Sequence, residues 1–172
     1  MKLILLHICC GVCAGSVIER LREDGFEPMG FFYNPNIHPE EEYYRRLEAT
    51  KILSSALGFS LIEGDYENKG WLELTRGFEK EPEGGKRCGI CFRMRLEKTF
   101  QKSKELKIPF TTTLTVSPQK DSHLINKIGK GFEGFRGYDF KKKDGFKRSL
   151  ELSKRYNLYR QNYCGCVYKP IF

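Results

Sequence analysis

The chain has 172 residues and a formal charge of +8, with 40% hydrophobic and 30% charged residues and 13 Phe and 9 Tyr beside a single Trp. That length and aromatic content fit one compact domain with its own core and exclude both intrinsic disorder and two full domains. No apolar run approaches the roughly 20 residues of a membrane-spanning helix, and the stretch at 3–6 is too short for the apolar part of an export signal, so a soluble, cytoplasmic protein is expected.

Residues 3–8 read as a short buried strand, followed by a turn carrying Cys9, Cys10, Gly11, Val12 and Cys13 and a helix over 14–23 closed by Asp24-Gly25. A second strand covers 26–33 and is stopped by the turn formers Asn34-Pro35-Asn36. The pattern predicts a helix over 40–57, with acids in its first turn, Ala49, Ile52, Leu53 and Ala56 marking its period and Gly58 at its end. Residues 59–62 form a third strand. Over 63–87 the pattern weakens, and Glu-Pro-Glu-Gly-Gly at 81–85 reads as a mobile loop. A helix resumes near Ile90 and runs to about Leu106, with Phe92, Leu96 and Phe100 on one face. The Thr-rich run 110–116 reads as the fourth strand, halted by Ser117-Pro118, and another helix covers 122–128. Beyond Gly137, residues 149–163 place Leu152, Tyr156, Tyr159 and Tyr163 on one helical stripe, read as facing the core.

Strands alternating with helices imply an α/β fold: a parallel sheet with helices on both faces, ligands binding beyond the carboxyl ends of the strands. The chain reads as a single domain over 1–172 with a basic helical segment, about 138–172, packed on it. Gly11 and Gly15 do not make a dinucleotide fingerprint, and there is no Gly-Lys-Ser/Thr phosphate loop.

Seven cysteines without an export signal are not a disulfide framework. Cys9, Cys10 and Cys13 cluster in the first strand-to-helix turn, where helix amides lower thiol pKa values. Cys88 and Cys91 form Cys-x-x-Cys, and Cys164 and Cys166 form Cys-x-Cys. Cys9, Cys10, Cys88 and Cys91 would supply four soft ligands for an iron–sulfur cluster if the fold brings the two pairs to one rim. Adjacent cysteines fit zinc less well, since its ligand pairs are usually two to four residues apart. Cys164 and Cys166 suit a reversible redox pair, because a bridge across one glycine is strained and easily reduced; the other reading is a second metal grip with Cys13 or Asp139.

The stretch 141–160 holds eight Lys and Arg against Asp144 and Glu151, six of the eight net charges. With Lys141, Lys142, Lys143, Lys147 and Arg148 at its head and Phe146, Tyr156 and Tyr159 interleaved, it suits a nucleic-acid backbone; the bland reading is a solvated helix face. His7 is expected to point into the core or the cysteine turn, His38 to support the following helix and His123 to be exposed.

Five passages together resemble the cobalamin-independent epoxyqueuosine reductase family, QueH: LHICCGVC at 6–13, FFYNPNIHPEEEY at 31–43, RCGICFRMRL at 87–96, TTLTVSPQK at 112–120 and YDFKKKDGFKRSLELSKRYNLYRQNYCGC at 138–166. Gly11-Val12 departs from the Ala-Pro expected in many relatives. The resemblance implies a Rossmann-like (HUP-like) three-layer sandwich and reduction of the epoxide of epoxyqueuosine in a transfer RNA anticodon loop to queuosine. It implies a [4Fe-4S] cluster on Cys9, Cys10, Cys88 and Cys91 and a redox pair at Cys164 and Cys166. An additional iron on Cys13 or Asp139, Asp139 as a catalytic acid, and an unidentified electron donor complete the expectation. Its rival is a zinc-stabilised RNA-binding module without catalysis; a metal-free thiol oxidoreductase is a third reading.

Overall fold

The computed structural model describes residues 1–168. Four strands form one parallel sheet in the order β3-β2-β1-β4, with β1 at Lys2–Ile8, β2 at Phe26–Phe32, β3 at Leu61–Glu63 and β4 at Phe110–Thr112. The central strand pairs on both sides, Leu5 with Met29 and Phe110, His7 with Phe31 and Thr112. Covered on both faces, it can be apolar throughout, and Ile4, Leu5, Leu6 and Ile8 are fully buried.

Right-handed crossovers decide where the helices lie. The chain steps outward from β1 through α1 (Gly11–Glu23), β2 and α2 (Glu40–Leu57) to β3, so α1 and α2 share a face. It then crosses back over β1 to β4, which puts α3 (Asn68–Leu74) and α4 (Lys86–Leu106) on the other. There α4 packs on β1 and β4 and takes α5 (Ser122–Gly129) beside it, while α6 (Gly145–Arg155) returns to pack on α1. The result is the three-layer α/β sandwich expected. The direction of winding reverses between β1 and β4, and in such sheets this is where a crevice opens beyond the carboxyl ends.

Several local readings are corrected. The strand expected over 110–116 ends at Thr112 and continues as a 3-10 turn, Thr113–Val116, because the Thr112 hydroxyl accepts from Leu114 N–H and closes the turn. The segment 63–87 contains α3, anchored by the buried Trp71 alone, which is too little for a period to show. The inward face of α2 is Tyr43, Leu47, Thr50 and Leu53; Ile52 and Ala56 are exposed. The helix expected over 149–163 starts earlier and stops at Arg155. Asn157 adopts a left-handed conformation, and Leu158 N–H bonds back to Ser153 O, a C-terminal cap that the tyrosine stripe masked. Residues 169–172 of the basic segment lie outside the described residues. Among the described residues no helix is long and apolar enough to cross a membrane.

Candidate sulfur-lined active site

Cys10 is the N-cap of α1: its backbone is extended and its Sγ accepts from Cys13 N–H at 3.4 Å. This one turn gathers Cys9, Cys10 and Cys13, whose Sγ atoms all lie within 4.8 Å of one another and are buried. Cys9 is also locked to the neighbouring β4 branch, since its N–H donates to Thr113 Oγ1 at 3.1 Å and the Thr113 hydroxyl donates to Cys9 Sγ at 3.2 Å. That clamp spans the crevice between β1 and β4. Hydrogen bonds from Cys10 and Cys13 hold the Cys9 thiol well below its ordinary pKa, against the opposing effect of burial. The Cys13 bond favours a Cys10 thiolate too, but the neighbouring Cys9 and burial outweigh it and push Cys10 up to about 12. Cys13 is raised as well, by its bonds to Cys10 and Cys9. Of the three buried sulfurs, Cys9 is the one whose ionisation the turn favours, and a cation among them would favour ionisation of the others.

Below the turn, His7 is fully buried and cannot be a free acid. Tyr33 O can only accept, so Nε2–H donates to it at 2.8 Å, and Nδ1 accepts from the Thr112 hydroxyl at 2.9 Å. Burial and then the Arg95 charge lower its pKa to about 4. It supports the strand ends that carry the cysteines. His38 presents its backbone to the Cys-x-Cys loop, and His123 is exposed, as expected.

The other four cysteines come from α4 and the C-terminal loop. Cys88 lies in the first turn of α4, where its Sγ accepts from Gly84 N–H at 3.3 Å, and Cys91 lies one turn on. Arg87 fixes the approach, donating to the carbonyls of Phe78, Glu79 and Glu81, so the segment read as a mobile loop is tied at its base. The Cys-x-Cys loop is held by its backbone. Asn36 Nδ2 and Arg46 Nη1 donate to Cys164 O at 3.1 and 3.0 Å, Arg46 Nη2 to Tyr163 O at 2.9 Å, and His38 N–H to Gly165 O at 2.7 Å. Gly165 has a φ of 105°, and a Cβ there would stand 3.0 Å from Ile37 Cα, so only glycine fits between the two cysteines. Arg46 is itself 3% exposed and paired with buried Glu42 at 2.8 Å, whose carboxylate also accepts from the Tyr159 hydroxyl.

Two adjoining cavities join these groups, apart from Cys10, which lines neither. The larger, about 250 Å³, is lined by Cys9, Cys13 and Cys164; the smaller, about 50 Å³, by Cys88, Cys91, Cys164 and Cys166. Cys164 belongs to both, as do Asn36, Gln119, Lys120 and Arg95. Sequence positions far apart therefore meet around one doubled cavity at the strands' carboxyl ends. A bond from Cys166 pulls the Cys164 thiol down to about 5 despite burial, and the same bond with burial raises Cys166. Burial raises Cys91, with the Arg95 charge and the Trp71 indole opposing it.

The donor set suits a metal or cluster. It is sulfur throughout, and Cys9, Cys10, Cys88 and Cys164 each already accept a hydrogen bond from N–H or O–H, as a thiolate ligand does. Buried Trp71 Nε1–H has no hydrogen-bond partner among the described residues, and Cys91, which packs with it, would accept from it as a thiolate.

Some expected site residues lie elsewhere. Asp139 lines neither cavity; its Oδ1 accepts from the Ser122 hydroxyl and from Lys141 N–H, both at 3.2 Å, fixing the turn ahead of α6. Lys141 is half-buried and its ammonium donates to Thr115 O, Lys120 O and the Ser122 hydroxyl. Arg148 forms a two-point pair with Glu19 and a further pair with Glu151. Lys142, Lys143 and Lys147 are exposed, on the α6 shoulder whose Phe146 reaches the larger cavity.

Sequence reading missed Asn34, Asn36, Arg46, Trp71, Arg95 and Gln161. Two signals were available: the asparagines follow the second strand, where such sheets bind ligands, and Arg95 falls on the Cys88–Cys91 face of α4, four residues beyond Cys91.

A family model described as "Epoxyqueuosine reductase QueH" matches residues 4–170. Proteins of that name are similar to the chain over nearly its whole length. The one from Streptococcus pyogenes is 40% identical, covering 96% of this chain and 69% of that protein. The one from Haemophilus influenzae is 40% identical over 96% and 70%, and that from Thermotoga maritima 35% over 99% and 92%.

Proposed function

The chain belongs to the epoxyqueuosine reductase QueH family, and from that membership we propose that it reduces the epoxide of epoxyqueuosine in transfer RNA to queuosine, the last step in making that modified base. It is an oxidoreductase, and the non-catalytic zinc module is not favoured. The cysteines could hold a metal or cluster; the finer reading is a [4Fe-4S] cluster on Cys9, Cys10, Cys88 and Cys91, with Cys13 available to an additional iron. The site of action is the cytoplasm and the anticodon loop. What supports the reading most is the meeting of two cysteine sets at adjoining cavities that share Cys164.

Converting an epoxide to an alkene takes up two electrons and two protons, and the oxygen leaves as water. Oxidation of the Cys164 thiolate and the Cys166 thiol to a disulfide releases two electrons and one proton, and solvent supplies the second proton, which balances the reaction; an external donor of unidentified nature then restores the pair. A bound cluster supplies one-electron transfer, which thiols do poorly. The chain's own residues do the rest. Asn36, Arg46 and His38 hold the Cys-x-Cys peptide so that Cys164 faces both cavities, and Cys166 keeps its neighbour ionised. Arg95, 4% exposed and lining both cavities together with Glu83, brings a guanidinium to the junction, where oxygen leaving carbon is negative. Exposed Lys142, Lys143 and Lys147 hold the RNA backbone while the modified nucleoside turns into the larger cavity.

The test is anaerobic incubation of iron-reconstituted protein with a chemical reductant and epoxide-bearing transfer RNA, followed by nucleoside mass analysis. A loss of one oxygen atom is expected; an unchanged nucleoside mass, with the protein folded and iron bound, would refute the activity.

A further inference from the structure

Six buried side-chain nitrogen or oxygen atoms among the described residues make no hydrogen bond, and three of them belong to residues lining the larger cavity: Asn34 Oδ1, Asn36 Oδ1 and Gln161 Oε1. Asn34 is fully buried and Asn36 2% exposed. The nitrogen ends of both asparagines are already used, Asn34 Nδ2 by Ile8 O at 2.9 Å and Asn36 Nδ2 by Cys164 O at 3.1 Å. A backbone carbonyl can only accept, so these bonds fix which end of each amide is nitrogen and leave the oxygens as the free acceptors. A buried acceptor left unmatched is unfavourable, and three around one cavity point to a ligand that brings donors. The same cavity carries the cations Arg95, Lys120 and Arg160 beside the single carboxylate of Glu83. It therefore offers acceptors for hydroxyl and N–H groups together with positive charge for an oxygen.

Resting on the reductase reading, we propose that Asn34, Asn36 and Gln161 form the acceptor set that selects the modified nucleoside. They take hydrogen bonds from the hydroxyl groups on its epoxide-bearing ring and from the N–H groups that join ring to base. An unmodified guanosine at the same place in the RNA lacks that ring and leaves the acceptors unmatched. A site built to accept from a substrate hydroxyl rejects the analogue without it, because its own buried oxygens are then stranded. The cysteines reduce whatever is placed over them; these amides decide what is placed there.

The experiment compares wild type, Asn36→Leu and Gln161→Leu for equilibrium binding to two transfer RNAs, one bearing epoxyqueuosine and one bearing guanosine, under anaerobic conditions. Conversion of the first RNA is followed in parallel by nucleoside mass. Wild type is expected to prefer the epoxyqueuosine RNA. Each substitution should reduce that preference by roughly five- to tenfold, the worth of one neutral hydrogen bond, and leave affinity for the guanosine RNA unchanged. KM should rise more than kcat falls. Since Asn36 also tethers Cys164 O, Gln161→Leu provides the arm without that tether, and Arg46→Met, which loosens the same loop but removes no free acceptor, should lower kcat with the preference intact. A preference unchanged in both leucine variants, or affinities for the two RNAs falling together, would overturn the assignment while wild-type conversion upholds the reductase reading. A wild type that neither converts nor prefers the modified RNA overturns both.

Discussion

Cys164 and Cys166 are separated by one glycine, yet they are chemically unequal because the bond between them is directional. Cys166 N–H and thiol both serve Cys164 Sγ, which lowers one thiol to about 5 and raises the other. Alkylation requires thiolate, so in the reduced protein Cys164 should react at a rate that is half-maximal near pH 5 and level above it, while Cys166 stays unreactive through neutral pH. Cys166→Ala removes the thiol donor but keeps the N–H, and should move the midpoint up from there toward the ordinary thiol range of about 8.5. Peptide-resolved mass spectrometry of iodoacetamide labelling across pH reads this directly, and an unmoved midpoint would show that another group ionises Cys164. Arg46 carries a different burden. Replacing it by Met leaves the buried Glu42 carboxylate with only the Tyr159 hydroxyl, takes the donor from Tyr163 O and one of two donors from Cys164 O, so the urea midpoint should fall by the equivalent of about 3 kcal/mol. An unmoved midpoint would mean that Glu42 finds solvent or another donor.

Elements with a continuous apolar signal were legible in the sequence, and elements defined by a single polar bond were not. The strand over Lys2–Ile8 and the helix over Glu40–Leu57 stood out because burial on both faces, acidic first-turn residues and a terminal glycine all agree there. The strand expected up to residue 116 failed at the Thr112 hydroxyl, and the tail helix failed at Asn157; each depends on one hydrogen-bonding pattern that apolar periodicity does not report. The start of α6 depends on close approach instead. A Cβ on Gly145 would collide with Phe140 O, so Gly145→Ala must displace either the helix or the preceding turn. Overpacking of this kind should cost about 2 kcal/mol, seen as a lower thermal midpoint with Phe146 drawn away from the cavity. A midpoint within error of wild type would mean that the 138–145 turn yields freely.

At the scale of the molecule, the sulfur chemistry was legible because cysteine spacing is specific, and the sheet's winding explains why residues 78 positions apart, Cys10 and Cys88, arrive at the same end. What surrounds the sulfurs was not legible. Asparagine at a turn, arginine on a helix and glutamine in a tail are ordinary in composition, and only the crevice gives them a shared purpose. The charge was legible in amount but not in use, since Lys141 and Arg148 are spent within the protein while Lys142, Lys143 and Lys147 face solvent. Charge reversal of those three should weaken transfer RNA binding and flatten its salt dependence, by about 0.7–0.9 in log–log slope for every phosphate that is no longer neutralised. An unchanged slope would place the RNA on another face.

The proposed chemistry requires the first cysteine turn and the α4 pair to serve one iron centre. Iron and sulfide content, with the broad absorption near about 400 nm expected of iron–sulfur proteins, should be measured after anaerobic reconstitution of wild type, Cys9→Ala and Cys88→Ala. Either substitution alone should abolish the absorption and most of the bound iron. A Cys88→Ala protein that keeps the full wild-type iron, sulfide and spectrum would contradict a shared centre, because the two cysteine sets would then not hold one cluster.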